Sequence, residues 1–236
     1  MRVGAVDCGT NTIRLLVADR ASGGPTVSLR DVVRRAEIVR LGSGVDRTGQ
    51  LDPAAIERTL ARCREYARTC RVLHCDVVRF VGTSASRDAA NGDEFTSRVR
   101  ATFADEGFPV HPEVLTGEEE ARFSFLGATL GLTSAYAEPY LVVDLGGGST
   151  EFVRGDHNGI TAALSVDVGS VRLTERVLAS DPPTAAEIDE ASALIATELN
   201  RVDAHVGFAG IGTLIGLAGT VTSLAAVALE LPAYEA

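Results

Sequence analysis

An internal repeat restricts the fold of this chain more than any other feature of its sequence. Aligning Val3–Asp19 with Tyr140–Asp156 superposes Asp7 on Asp144, Gly9 on Gly146 and Asp19 on Asp156, with an apolar run on either side of the turn in both copies. Each copy reads as strand, Asp-x-Gly turn and strand, because apolar stretches of strand length flank a cluster of Gly and small polar residues. Repetition of such a unit predicts two duplicated domains whose turns face one another across a cleft. The boundary is expected in the Gly127–Ser134 connection, giving domains 1–128 and 129–236.

Between the copies, strand and helix signals alternate, so the class is α/β. A strand is predicted at Glu37–Leu41, followed by a loop marked by Gly42, Ser43, Gly44 and Gly49. Asp52 with Pro53 opens an amphipathic helix to about Cys70, since Asp caps the first turn and Pro is tolerated at its first position. Strands follow at Asp76–Val81 and Val110–Leu115, with a helix at Glu94–Asp105 between them. Thr116-x-x-Glu119 has the form of a capping box and starts another helix. Beyond the second repeat, a strand is expected at Thr161–Val166 and a long helix at Ala185–His205. Val206–Leu229 carries no charge and is long enough to cross a bilayer. Its five Gly and four Thr/Ser instead predict a buried strand, a Gly turn and a buried helix, with no membrane span.

Charge narrows the partners. The formal net charge is −10, against a general nucleic-acid binder, which neutralises phosphates with a cationic surplus. All cationic side chains are Arg, whose planar fork suits phosphate oxygens, and residues 1–40 hold seven of them against four acids. Cys8, Cys63, Cys70 and Cys75 lack zinc-site spacing and follow no secretory signal, so reduced thiols and a cytoplasmic location are expected.

Three segments carry candidate chemistry. In Asp144-Leu145-Gly146-Gly147-Gly148-Ser149-Thr150-Glu151, consecutive glycines leave backbone N–H groups open to phosphate oxygens. Asp144 at the strand end suits a hard cation such as Mg²⁺, and Glu151 adds a second carboxylate. In the sister turn, Gly9, Thr10, Asn11 and Thr12 supply small donors, with Asp7 as a metal or water partner. The third segment, Thr116-Gly117-Glu118-Glu119-Glu120-Ala121-Arg122, places three carboxylates at a helix start. They serve either as dipole complements or, one of them, as a general base for water.

These segments, with Gly82-Thr83-Ser84-Ala85-Ser86-Arg87-Asp88-Ala89 and Gly216–Leu224, resemble in order the signature motifs of the exopolyphosphatase/guanosine pentaphosphate phosphatase (Ppx/GppA) family. The resemblance implies duplicated actin-like, ribonuclease-H-like domains of the sugar kinase/Hsp70/actin superfamily, with the active site between lobes. It implies Glu119 as catalytic base, Glu151 as an arranger of metal or water, and Asp144 as the ligand of Mg²⁺ or another divalent cation such as Mn²⁺. It implies phosphate contacts from Asn11, Arg87, Gly147, Gly148 and Ser149, to which the loops add Gly9, Thr10 and Gly146. Compared with the family, the second domain is expected to be incomplete, lacking a later basic segment, and activity correspondingly weak. The expected activity is exopolyphosphatase. The alternatives are guanosine pentaphosphate hydrolysis, a non-catalytic module binding guanosine penta- or tetraphosphate, and an actin-like sugar kinase or ATPase. A homodimer is a further expectation from the resemblance.

Overall fold

The computed structural model describes residues 1–20, 29–132 and 135–232; the end of the Gly127–Ser134 connection and the last four residues lie outside them. The chain divides into two compact units, Met1–Leu115 and Thr116–Ala236.

The first unit contains strands β1 (Arg2–Cys8), β2 (Thr12–Arg20) and β3 (Leu29–Ile38), then helices α1 (Val45–Thr48) and α2 (Pro53–Val72). It continues with β4 (Val77–Gly82), α3 (Ser84–Asp88), α4 (Gly92–Asp105) and β5 (Glu113–Val114). The sheet order is β3-β2-β1-β4-β5, with β1 antiparallel to β2 and parallel to β4. Strand alternation sends Val6, Cys8, Ile13, Leu15 and Val17 to one face, where they are fully buried. On that face α2 buries Ile56, Leu60, Cys63, Ala67 and Cys70 at three- and four-residue spacing. Each fully buried aliphatic side chain of this set contributes about 1.5–3 kcal/mol. The cap is as expected: Asp52 Oδ1 accepts from the Ala55 N–H at 3.0 Å. Tyr66, wholly buried, donates its hydroxyl to the Ile13 carbonyl at 3.2 Å, which spares the core an unsatisfied polar atom.

The second unit contains α5 (Gly117–Thr129), β6 (Tyr140–Leu145), β7 (Thr150–Asp156), β8 (Gly159–Val166), α6 (Ser170–Arg176), α7 (Ala185–Val206), β9 (Thr213–Leu217) and α8 (Ala218–Ala228). Its sheet runs β8-β7-β6-β9, again with an antiparallel hairpin and a parallel neighbour beside its first strand. Parity along β6 divides the core: Tyr140 and Val142 meet Ala121 and Phe125 of α5, whereas Leu141 meets Val202 and Val206 of α7.

The duplication is literal in the hydrogen bonding. The β1–β2 register Cys8↔Ile13 recurs as Leu145↔Thr150, and Asp7↔Arg14 recurs as Asp144↔Glu151. Both turns close identically, Gly9 N–H to Thr12 O and Gly146 N–H to Ser149 O, each at 3.0 Å. A Cβ at either Gly would stand 3.2 or 3.1 Å from that acceptor carbonyl, tighter than an ordinary contact, so both positions suit glycine.

Several elements differ from the expectation. The strand predicted at Glu37–Leu41 is the end of a longer β3 that stops at Ile38. The N–H groups of Val39 and Arg40 leave the ladder to share the Asn11 carbonyl, both at 2.9 Å, and Val39 and Leu41 are buried by the core. Only Glu113 and Val114 of Val110–Leu115 pair as strand. The uncharged segment does form strand and helix, but not a buried one. No α8 residue is buried, and Leu224 and Val227 are 64% and 76% exposed, because α8 packs over β9, the edge strand, and its neighbour β6, where little else of the unit covers it. Among the described residues no helix is long and apolar enough to cross a membrane. The boundary expected at 128/129 lies inside the second unit, since the first ends at Leu115. The helix α5 belongs with the second sheet, since Ala121 and Phe125 form part of that core.

Candidate active site

In the first unit, the β1–β2 turn is locked to two neighbours. Thr10 Oγ1 and Ser84 Oγ are hydrogen-bonded at 2.8 Å, and the Gly42 N–H donates to the Thr10 carbonyl at 2.8 Å. A Cβ at Gly42 would lie 2.4 Å from Thr10 Cγ2, so glycine there admits the close approach. Parallel pairing of β4 with β1 brings the Gly82–Ala89 motif to the same sheet end, with the Thr83 N–H on the Cys8 carbonyl at 3.2 Å. Gly9, Thr10, Asn11 and the start of α3 are therefore one structure. Thr10 is buried and its hydroxyl is engaged by Ser84, so its side chain serves the turn itself. Arg87 Nη1 donates to the Leu115 carbonyl at 2.8 Å, which fixes the guanidinium beside the turn that leads to α5. Asp7 accepts from Arg14 at 3.1 Å across the hairpin, both side chains roughly two-fifths exposed. The Cys8 thiol beside it is pushed well above its ordinary value by burial and carries no nucleophilic chemistry.

In the second unit, three predicted carboxylates are each held by a hydroxyl. Glu119 is exposed in the first turn of α5 and completes a capping box: its Oε2 accepts from Thr116 N–H at 2.9 Å and from Thr116 Oγ1 at 3.0 Å. Asp144 Oδ2 accepts from Ser124 Oγ of α5 at 2.5 Å. Glu151, buried at 3% exposure, accepts at Oε1 from Ser165 Oγ of β8 at 2.8 Å. A Cβ at Gly117 would stand 2.7 Å from the Ser165 Cβ, so the start of α5 lies directly against the strand that supports Glu151.

Asp144 and Glu151 face each other across the β6–β7 ladder. In the first unit the equivalent partners are Asp7 and Arg14, an ion pair; in the second they are two acids. Like charges directly opposite destabilise a hairpin, and a hard divalent cation bound by one or two carboxylates removes that cost. The donor set fits Mg²⁺ or Mn²⁺ supplemented by water and phosphate oxygens. Among the described residues no group of three or more His, Cys, Asp or Glu makes a complete protein cage. Asp7, already paired with Arg14, is the poorer ligand of the two aspartates.

The glycine loop is oriented from behind. Its carbonyls are taken in turn: Gly146 O by the Ser170 N–H at 3.1 Å, Gly147 O by the Val171 and Arg172 N–H groups at 2.9 and 3.1 Å, and Gly148 O by Arg172 Nε at 2.7 Å. In a trans peptide the C=O of one residue and the N–H of the next point oppositely. The N–H groups of Gly147, Gly148 and Ser149 therefore point away from α6, and among the described residues none of the three meets an acceptor. Such a row of N–H groups is an anion cradle.

Ser124, Ser165, Gly169 and Arg172 were not singled out by sequence reasoning. Register alone would have found Ser165, which is opposite Glu151 in the β7–β8 pairing. Ser124 and Arg172 depend on tertiary packing and left no local signal.

The Ppx/GppA phosphatase family model matches residues 16–234. Exopolyphosphatase 2 of Mycobacterium tuberculosis is 47% identical over 235 residues, covering 100% of this chain and 73% of its own length. The crystal structure of an exopolyphosphatase-like protein superposes with a TM-score of 0.90 at 41% identity, over 98% of this chain and 69% of that one. A Ppx/GppA enzyme of Aquifex aeolicus does so with a TM-score of 0.78 at 33% identity, over 100% and 73%. The repeated hairpins, the five-stranded sheet order and these likenesses agree on an actin-like, ribonuclease-H-like α/β fold. The chain belongs to the Ppx/GppA phosphatase family.

Proposed function

We propose that this chain, a phosphoanhydride hydrolase by family, removes terminal phosphates from inorganic polyphosphate. The observation that carries the reading is the Gly146–Ser149 loop, whose three N–H groups, directed away from α6, sit in the turn of the same hairpin that pairs the carboxylates Asp144 and Glu151. The relatives named exopolyphosphatase support this choice of substrate.

In this reading the N–H groups of Gly147, Gly148 and Ser149 bind phosphate oxygens, whose negative charge they partly offset without a compensating side chain. Gly9, Thr10 and Asn11 contribute the backbone of the sister turn, and Arg87 adds a fixed positive charge. Asp144, with Asp7 and Glu151 as lesser candidates, would hold Mg²⁺ or Mn²⁺, which when bound supplies charge neutralisation at the phosphoryl oxygens. Glu119 takes a proton from water. The water oxygen forms a bond to the terminal phosphorus, the bridging P–O bond breaks, and its electrons remain on the shortened chain. Orthophosphate leaves. Glu151, buried and opposite Asp144 in the ladder, supplies a second carboxylate beside the proposed cation.

Phosphate release is measured from long-chain polyphosphate and from guanosine pentaphosphate, with Mg²⁺ and with chelator, in the wild type and Asp144→Asn. Mg²⁺-dependent release from polyphosphate, lost in the variant, supports the proposal. Release only from the guanosine compound would replace the substrate, and chelator-insensitive release would remove the metal.

A further inference from the structure

We infer that Arg172 is a positioning residue that clasps the glycine loop and thereby holds its N–H groups toward the substrate; this rests on the proposed reading of the loop as a phosphate cradle.

Three glycines in succession have more backbone freedom than any other segment of their length, so a cradle made of them is ordered only if something outside the loop orders it. That something is the segment beginning at Val168. The Thr150 hydroxyl donates to the Val168 carbonyl at 2.6 Å, tying the segment to the strand leaving the loop. A Cβ at Gly169 would stand 2.4 Å from the Gly147 carbonyl oxygen, so the two backbones are in direct contact. The next three N–H groups, of Ser170, Val171 and Arg172, reach the Gly146 and Gly147 carbonyls. Gly148 lies beyond their reach, and its carbonyl is taken by the Arg172 side chain, Nε donating at 2.7 Å.

This side chain is 13% exposed, and Asp167 lies 3.9 Å from its guanidinium. Its hydrogen bond to the loop is made from the side opposite the N–H groups. A charged donor on the Gly148 carbonyl fixes the Gly148–Ser149 peptide plane and so directs the Ser149 N–H. By polarising that peptide it also makes the N–H a stronger donor. Arginine is suited to this because a planar, permanently charged group presents Nε at a fixed angle, which a flexible ammonium does not.

The test is the kinetics of Arg172→Gln, Arg172→Lys and Gly169→Ala on long-chain polyphosphate, with backbone amide NMR order parameters for Gly146–Ser149. The expected result for Arg172→Gln is a rise in KM of about tenfold with kcat within about twofold, because a charged hydrogen bond that orders the binding loop is lost while the reacting groups stay in place. Arg172→Lys is expected to rise about threefold, and Gly169→Ala to resemble the Gln variant. The order parameters of the loop fall in all three. If Arg172→Gln does not fold, the Lys variant decides alone. An unchanged KM with unchanged order parameters, or a fall in kcat at constant KM, overturns the inference. Loosening of the loop in variants of a wild type that neither binds nor cleaves polyphosphate would leave the clasp standing and remove the substrate assignment.

Discussion

Replacing Glu119 by Gln separates two roles that one carboxylate fills. Structurally, Glu119 closes the capping box on Thr116 with two contacts of 2.9 and 3.0 Å. A Gln carbonyl oxygen can accept both, so the box survives the change. What is lost is the interaction of a negative charge with the helix N-terminus, about 0.3–1 kcal/mol. A general base tolerates no such exchange: turnover is expected to fall by about 10²–10⁴-fold, equivalent to about 2.7–5.4 kcal/mol of barrier. The molecule contains its own control. Thr184 and Glu187 form a second capping box at the start of α7, with contacts of 2.7 and 2.9 Å. Glu187→Gln makes the same chemical change to the same motif and is expected to leave turnover at the wild-type level. The assay is initial-rate phosphate release from polyphosphate, alongside urea unfolding of each variant. Turnover of Glu119→Gln within about threefold of wild type, or equal losses in both variants, would show that Glu119 is only a cap and refute its assignment as base.

Three further outcomes follow from the same geometry. The Thr184 backbone N–H, and after it the Thr184 hydroxyl and Ser180 backbone, hold the Glu187 carboxyl down at about 2 against a usual 4.5. Its folded value is depressed, so the stability it contributes is complete above about 4.5 and is lost as pH falls toward about 2; unfolding midpoints at pH 6 and pH 3 are expected to differ less in Glu187→Gln than in wild type. Burial pushes the Cys63 and Cys70 thiols up to about 12, so native protein is expected to resist alkylation at pH 8 and to react fully only in denaturant, as read by mass spectrometry. Ser86 Oγ is buried and, among the described residues, without a hydrogen-bond partner; Ser86→Ala is expected to be neutral or stabilising by about 1 kcal/mol in urea unfolding, and a loss above that would reveal a hidden partner.

Much of the fold was written locally. Polar turn residues between apolar runs placed both hairpins, Asp52-Pro53 placed α2, and Thr116-x-x-Glu119 placed α5, because capping and turn formation are short-range events. Short-range patterns failed where a distant partner decided the outcome. Val39–Leu41 has the apolar character of a strand, yet its backbone turns away to the Asn11 carbonyl. Val206–Leu229 has the composition of a buried segment, yet burial depends on neighbours, and β9 has one on one side only.

The candidate site divides in the same way. The sequence alone determined which residues could do the chemistry: Asp144, Glu151, Glu119 and the glycine loop are identifiable by residue type and spacing, and their duplication marks them as turns at equivalent strand ends. Only the tertiary structure decided how they are aimed. Ser124, Ser165 and Arg172 come from other elements of the unit, and the direction of the loop N–H groups is set by donors more than 20 residues away in sequence. The physical reason is that a peptide plane is free to rotate until its carbonyl finds a donor, and in this unit the donors arrive only when α6 packs behind the loop.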